Sequence, residues 1–145
     1  MKFSCEIEIN APLEQVATLW FDETNNKHWQ DGFESSKLVT GIKNEVDSKS
    51  IITYNKGKMI LEETILLNNY PLEKKGLYEH KHMSNTQHTK FKDLGNGKTL
   101  YTSEVDYIAF HHFMPKLMFW LFPGMFKKMS MKWMKQFKFF VESNC

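Results

Sequence analysis

The first ten residues alternate. Phe3, Cys5, Ile7 and Ile9 fall on one side, and Lys2, Ser4, Glu6, Glu8 and Asn10 on the other. A period of two predicts a half-buried strand. Ala11-Pro12 ends it. Pro12 suits the first turn of a helix, with Asn10 as its cap. Leu13, Val16, Ala17 and Trp20 then recur at helical spacing, which predicts a short helix over 12–21. A second short helix is expected from Asn25 to Gln30, stopped by the turn Asp31-Gly32.

Strand-like segments follow near residues 34–42, 48–56, 58–68, 74–83, 86–93 and 98–109. Turn signals separate them: Lys43-Asn44, Lys56-Gly57, Asn68-Asn69-Tyr70-Pro71, Ser84-Asn85 and Gly95-Asn96-Gly97. Such short connections predict hairpins, hence an antiparallel meander. From Phe113 to Ser143 the period changes to that of a helix rich in Met, Phe and Trp. Pro115 fits its first turn, and Pro123-Gly124 breaks or kinks it. Beyond the break, Phe126, Met129, Trp133, Phe137 and Phe140 form the expected apolar stripe, with lysines on the other faces. The pattern as a whole predicts an α+β fold: seven antiparallel strands gripping a long C-terminal helix, with a core or cavity between them.

Composition narrows the function. At 145 residues one domain over 1–145 is expected. The formal charge of +2 is too small to argue for nucleic acid as a partner. All 19 basic residues are lysine, so bidentate guanidinium recognition is missing. The N-terminus carries no apolar run of a signal peptide. The most apolar window, Leu117 to Phe126, is half the roughly 20 residues of a membrane span, so no integral membrane segment is expected. Cys5 and Cys145 make no metal or redox spacing, which fits a cytoplasmic, reduced protein. Cys5 reads as a small core residue, and Cys145 as terminal and mobile.

The order strand, two short helices, six strands, long helix resembles the helix-grip fold of the START/Bet v1-like (SRPBCC) superfamily. Five stretches carry a further resemblance to its bacterial polyketide cyclase/dehydrase-and-lipid-transport proteins: EIEINAPLEQV, KHWQDGF, MILEETILLNNYP, GLYEHKHMSN and PGMFKKMSMKWMKQFKFFVES. The resemblance implies a cavity between sheet and helix that takes a small hydrophobic molecule. Members range from lipid carriers to cyclases to Hsp90 co-chaperones, so fold alone leaves the activity open.

The candidate chemistry lies in that cavity. Met118, Phe122, Met125, Met129 and Trp133 make a soft wall able to accept varied ligands, or an ordinary filled core. Tyr54, Tyr78, His80 and Tyr101 offer polar groups to orient a ligand, and Trp29, with Trp20, closes one end. His80 and His82 share a strand face, but a zinc site needs a third ligand; no metal and no cofactor are expected. Glu63 shares its face with Met59, Leu61, Ile65 and Leu67, and the opposite face, Ile60, Glu62, Thr64 and Leu66, is nearly as apolar, so alternation leaves the inward face open. A carboxylate turned inward at Glu63 is a candidate acid or base, as is His80. On the strand at 98–109 the face Tyr101, Ser103, Val105 and Tyr107 is expected inward, leaving Glu104 and Asp106 in solvent. His111-His112 are expected neutral at the surface or at the cavity mouth. Three functions remain: a carrier or sensor for a small apolar or amphipathic molecule, a cyclase- or dehydratase-type enzyme, and an interaction module of the Hsp90-activator kind. A homodimer is compatible with each.

Overall fold

The structure is a computed structural model that describes residues 1–144; Cys145 lies outside the described residues. Seven strands form one antiparallel sheet: β1 (Lys2–Ile9), β2 (Phe33–Thr40), β3 (Lys49–Tyr54), β4 (Met59–Asn69), β5 (Glu73–Glu79), β6 (Met83–Gly95) and β7 (Lys98–Phe110). Neighbours in sequence pair from β2 to β7, and β1 closes the order as β1-β7-β6-β5-β4-β3-β2. Helix α1 (Leu13–Phe21) and a 3₁₀ turn (Glu23–His28) follow β1, and α2 (Phe113–Leu121) and α3 (Pro123–Ser143) follow β7. The seven-stranded sheet and the C-terminal helix are those expected from the alternation.

Local signals explain most boundaries. The β6–β7 hairpin turns on Asn96 and Gly97, both at positive φ, the geometry that matches strand twist in a tight hairpin. Asp22 caps the 3₁₀ turn through Thr24 N–H at 3.0 Å. Asn10 does not cap α1. The cap position is Pro12, and Asn10 N–H instead donates to Glu142 Oε2 at 2.9 Å, fastening the end of β1 to the end of α3. The expected turn at Ser84-Asn85 is also displaced. The chain reverses over residues 80–82, closed by His80 N–H to the Met83 carbonyl at 2.9 Å, and Ser84 and Asn85 pair within β6. The helix breaks at Phe122, so that Pro123 opens α3, where a missing N–H costs nothing.

Burial concentrates at one end. Ile9, Val16, Phe137 and Val141 are wholly buried where β1, α1 and the second half of α3 meet. The Phe137 ring lies edge-on to Trp29 at 5.1 Å and to Tyr101 at 5.5 Å, favourable aromatic geometry. Cys5 joins this cluster, and burial raises its thiol pKa. The helical stripe is rotated from the expected one. Met134, Phe137 and Val141 are its most buried members, Trp133 and Phe140 are half-buried, and Met129 is 59% exposed.

Candidate functional site

The first half of α3 stands away from the sheet. Between them lies a cavity of about 330 Å³, closed at one end by Trp20, Phe21 and Trp29. Its apolar walls include Ile52, Met59, Leu61, Val105, Phe126, Met129 and Trp133.

Alternation delivers the sheet side of this cavity. Tyr101, Ser103, Val105 and Tyr107 of β7 all line it, while Glu104 faces outward in an ion pair with Lys90 at 2.9 Å. On β4, the face shared by Met59, Leu61 and Glu63 is the one that lines it. Leu67 leaves that face, because a register shift between Ile65 and Leu67 reverses the side on which it emerges.

A polar cluster occupies the floor. Glu63 is only 5% exposed. It accepts a hydrogen bond from the Tyr78 hydroxyl at 2.7 Å and lies 3.7 Å from the Lys74 ammonium. The ammonium also sits 5.7 Å over the Trp20 ring, a cation–π distance. Lys74, Gly76 and Tyr78 share one face of β5, and the glycine is what lets them do so. A Cβ on Gly76 would meet the Tyr78 ring and hydroxyl at 2.9 Å. The ring therefore lies flat across the glycine, with its hydroxyl turned to Glu63. Burial first, then the Glu63 charge and hydrogen bond, hold the Tyr78 pKa well above its ordinary value, so Tyr78 is a fixed donor.

The other tyrosines are also kept protonated. Tyr54 donates to Gln30 Oε1 at 2.7 Å, and burial, then the Glu63 and Glu23 charges, raise its pKa. Tyr101 accepts from Trp20 Nε1 at 3.3 Å and is raised by burial. Burial pushes Tyr107 up to about 12. The cavity thus presents tyrosine hydroxyls, the side chains of Glu23 and Glu63 and the Lys74 amine within a mainly apolar wall.

The sequence-predicted residues divide into two groups. Trp29, Tyr54, Tyr78, His80, Tyr101, Met129 and Trp133 line the cavity together with Glu63. Met118, Phe122 and Met125 are not among its lining residues, and Met118 and Phe122 face solvent. The helix breaks at Phe122, and no described side chain of α2, on the far side of that break, reaches the cavity. Trp133 is held in place by Asp31, whose carboxylate accepts from Trp133 Nε1 at 3.3 Å and from Gln136 Nε2 at 3.1 Å.

His80 lines the cavity at the corner where the chain reverses. Its Nδ1 accepts from the His82 backbone N–H at 3.2 Å. The His82 ring packs between His80 at 5.1 Å and His112 at 4.8 Å. Burial, followed by neighbouring positive charge, lowers the pKa of both His80 and His82. His88 lies on the other face of the sheet, bonded to Glu73 Oε1 at 2.8 Å. Among the described residues no group of three or more His, Cys, Asp or Glu is placed to hold a metal ion.

Lys74, Gln87, Asn85 and Ser130 also line the cavity. Lysine ordinarily belongs to solvent, so Lys74 drew no notice in the sequence. The available signal was its place two residues before Gly76 and four before Tyr78 on one strand face.

No protein-family model matches this chain, and none of the curated proteins matches it in sequence. Its fold is widely shared among solved structures. A START superfamily protein from Mycobacterium smegmatis superposes with a TM-score of 0.73 at 14% identity, covering 99% of both chains. The Zhui aromatase/cyclase from Streptomyces gives 0.78 at 8% identity, covering 98% of this chain and 93% of its own. Norcoclaurine synthase from Thalictrum flavum, in complex with dopamine and hydroxybenzaldehyde, gives 0.69 at 14% identity, covering 100% of this chain and 88% of its own. These likenesses establish the helix-grip fold of the START/Bet v1 type.

Proposed function

We propose that this chain binds a small amphipathic molecule between the sheet and α3. The observation that carries the reading is the pairing of a mainly apolar cavity with one buried polar cluster, Lys74–Glu63–Tyr78, on its floor. Apolar burial supplies affinity, and a few fixed polar groups supply orientation. A volume of about 330 Å³ lies at the small end of ligand pockets, roughly 300–1,000 Å³, and favours a compact ligand over a two-chain lipid. Lys74 offers its ammonium to a ligand oxygen, and Glu63 accepts from a ligand hydroxyl or amine. The chain on this reading is a carrier or sensor of the cytoplasm, a compartment that keeps a buried thiol such as Cys5 reduced.

Native mass spectrometry of the purified chain tests this directly, followed by thermal melts with fatty acids and small aromatic compounds. A ligand at one hundred times its Kd adds about 2.7 kcal/mol of stability. Val105→Trp, which fills the cavity, should abolish the effect. Absence of any bound or stabilising compound, or equal stabilisation of the filled variant, rejects the proposal.

A second reading is favoured by the same cluster. A carboxylate beside a fixed phenol donor and an ammonium can move a proton on a bound substrate. His80, kept neutral by its lowered pKa, is a further base at the cavity edge. Two proteins of this fold named above are a cyclase and a synthase. Turnover of a bound compound that Glu63→Gln abolishes, with binding retained, would select the enzyme over the carrier.

A further inference from the structure

We propose that α2 and the start of α3 dock on an anionic membrane surface, beside the mouth of the cavity. Helix α2 packs mainly on β7 and α3 and leaves most of its apolar side chains uncovered. Trp120 is 73% exposed and Phe113 72%, and Met114, Leu121, Phe122 and Met129 are exposed around them. So many exposed large apolar side chains within one short segment mark an interface.

Charge identifies its partner. From Tyr107 to Val141 the chain contains no Asp or Glu but six lysines. Lys132 is neutralised by Asp31 at 2.9 Å and Lys138 by Glu142 at 2.8 Å. Among the described residues, Lys116, Lys127 and Lys128 form no ion pair, and all three are exposed beside the apolar side chains. A second copy would cover the apolar face, but a two-fold contact sets the same patch against itself and opposes lysine to lysine. An anionic bilayer meets both demands. Its interface accepts Trp and Phe at headgroup depth, and its surface potential attracts lysine.

Geometry sets the mode. Nine residues of α2 span about 13 Å at about 1.5 Å per residue, far less than the roughly 30 Å hydrocarbon core. No described helix is long and apolar enough to cross a membrane. The helix therefore lies in the plane of the interface. Met129 belongs to the exposed patch and also lines the cavity, so docking turns the mouth toward the lipid.

The test is flotation of the full chain with vesicles of phosphatidylcholine alone and of phosphatidylcholine mixed with phosphatidylglycerol, with light scattering of the free protein. Binding is expected on the anionic vesicles, at least about tenfold weaker on the neutral ones, and weakened by salt. The double variant F113D/W120D should lose it, and K127Q/K128Q should lower it by about fivefold per lysine. Neither pair lines the cavity, so thermal stabilisation by a cavity ligand should survive both and separates failure here from failure of the ligand reading. The proposal falls if neither vesicle binds, if both bind equally, or if F113D/W120D binds unchanged. A dimer that F113D/W120D dissolves, with no flotation, assigns the face to a second copy instead.

Discussion

The two halves of α3 are built from the same residue types and do different things. The second half buries Phe137 and Val141 completely in the cluster that includes Ile9, Val16 and Trp29, with Met134 at the boundary to the cavity. The first half sets Phe126, Met129 and Trp133 across an open volume. Hydrophobicity does not separate them; the opposing surface does. Behind the second half, α1 and Trp29 bring a further layer of apolar side chains. Facing the first half, across the cavity, stand mainly the strands, which carry tyrosines and Glu63, with Trp20, Phe21 and Trp29 closing only one end.

The largest test of this contrast is a pair of truncations. Phe137→Ala removes a ring with no exposed surface from contact with two other rings and should cost about 3–5 kcal/mol. Met129→Ala, about two turns earlier in the helix and 59% exposed, should stay within about 0.5 kcal/mol. Denaturant melts of both would show it. Equal losses would mean that the cavity closes in solution and the two halves are packed alike.

The polar floor sharpens the contrast at smaller scale. Glu63→Leu leaves the Tyr78 hydroxyl and the Lys74 ammonium without their carboxylate, and should cost about 1–3 kcal/mol. Lys74→Met alone should cost less, since Tyr78 still satisfies Glu63. The double variant should recover part of the loss, because removing both charges avoids a stranded one. Ligand binding should be lost in all three. A double variant that retains stability but not binding would separate the cluster's recognition role from its folding role. Additive losses would show that Lys74 and Glu63 do not interact.

Most of this architecture was legible because strands obey a strict period. The inward face of β7 follows from the alternation of Tyr101, Ser103 and Val105, whereas on β4 the faces of Glu63 and Glu62 are nearly equally apolar and only the structure selects that of Glu63. Helix α3 was harder. Phe126, Met129, Met131, Trp133, Met134, Phe137, Phe139 and Phe140 surround it almost completely, so no single stripe stands out, and the chosen one was rotated from the buried one. Met118, Phe122 and Met125 read from composition as part of the cavity wall, yet they lie outside the lining, because the helix breaks at Phe122 and only α3 runs along the cavity. Ser84-Asn85 reads as a turn because those residues favour turns, yet Ser84 is buried and its hydroxyl meets His111 Nε2 at 3.1 Å. Long-range partners of this kind leave no local trace.

The smallest expected effect belongs to the histidine corner, where the open end of the cavity meets the β5–β6 reversal. His80 and His82 have pKa values lowered from 6.5, burial being the first cause for each. A base with a depressed folded-state pKa binds fewer protons folded than unfolded. Its contribution is therefore present above the unfolded value and is lost as pH falls through the folded one. Thermal melts should decline modestly as the pH drops below about 6.5, well before carboxylates such as Asp31 and Glu142 titrate. Because His82 packs against both His80 and His112, His82→Gln removes one of the charges forced together and should flatten the decline. Phe137→Ala, at the closed end, should lower the whole curve without changing its slope in that window. A slope unchanged by His82→Gln would place the acid sensitivity elsewhere and leave the open end no more pH-responsive than the packed one.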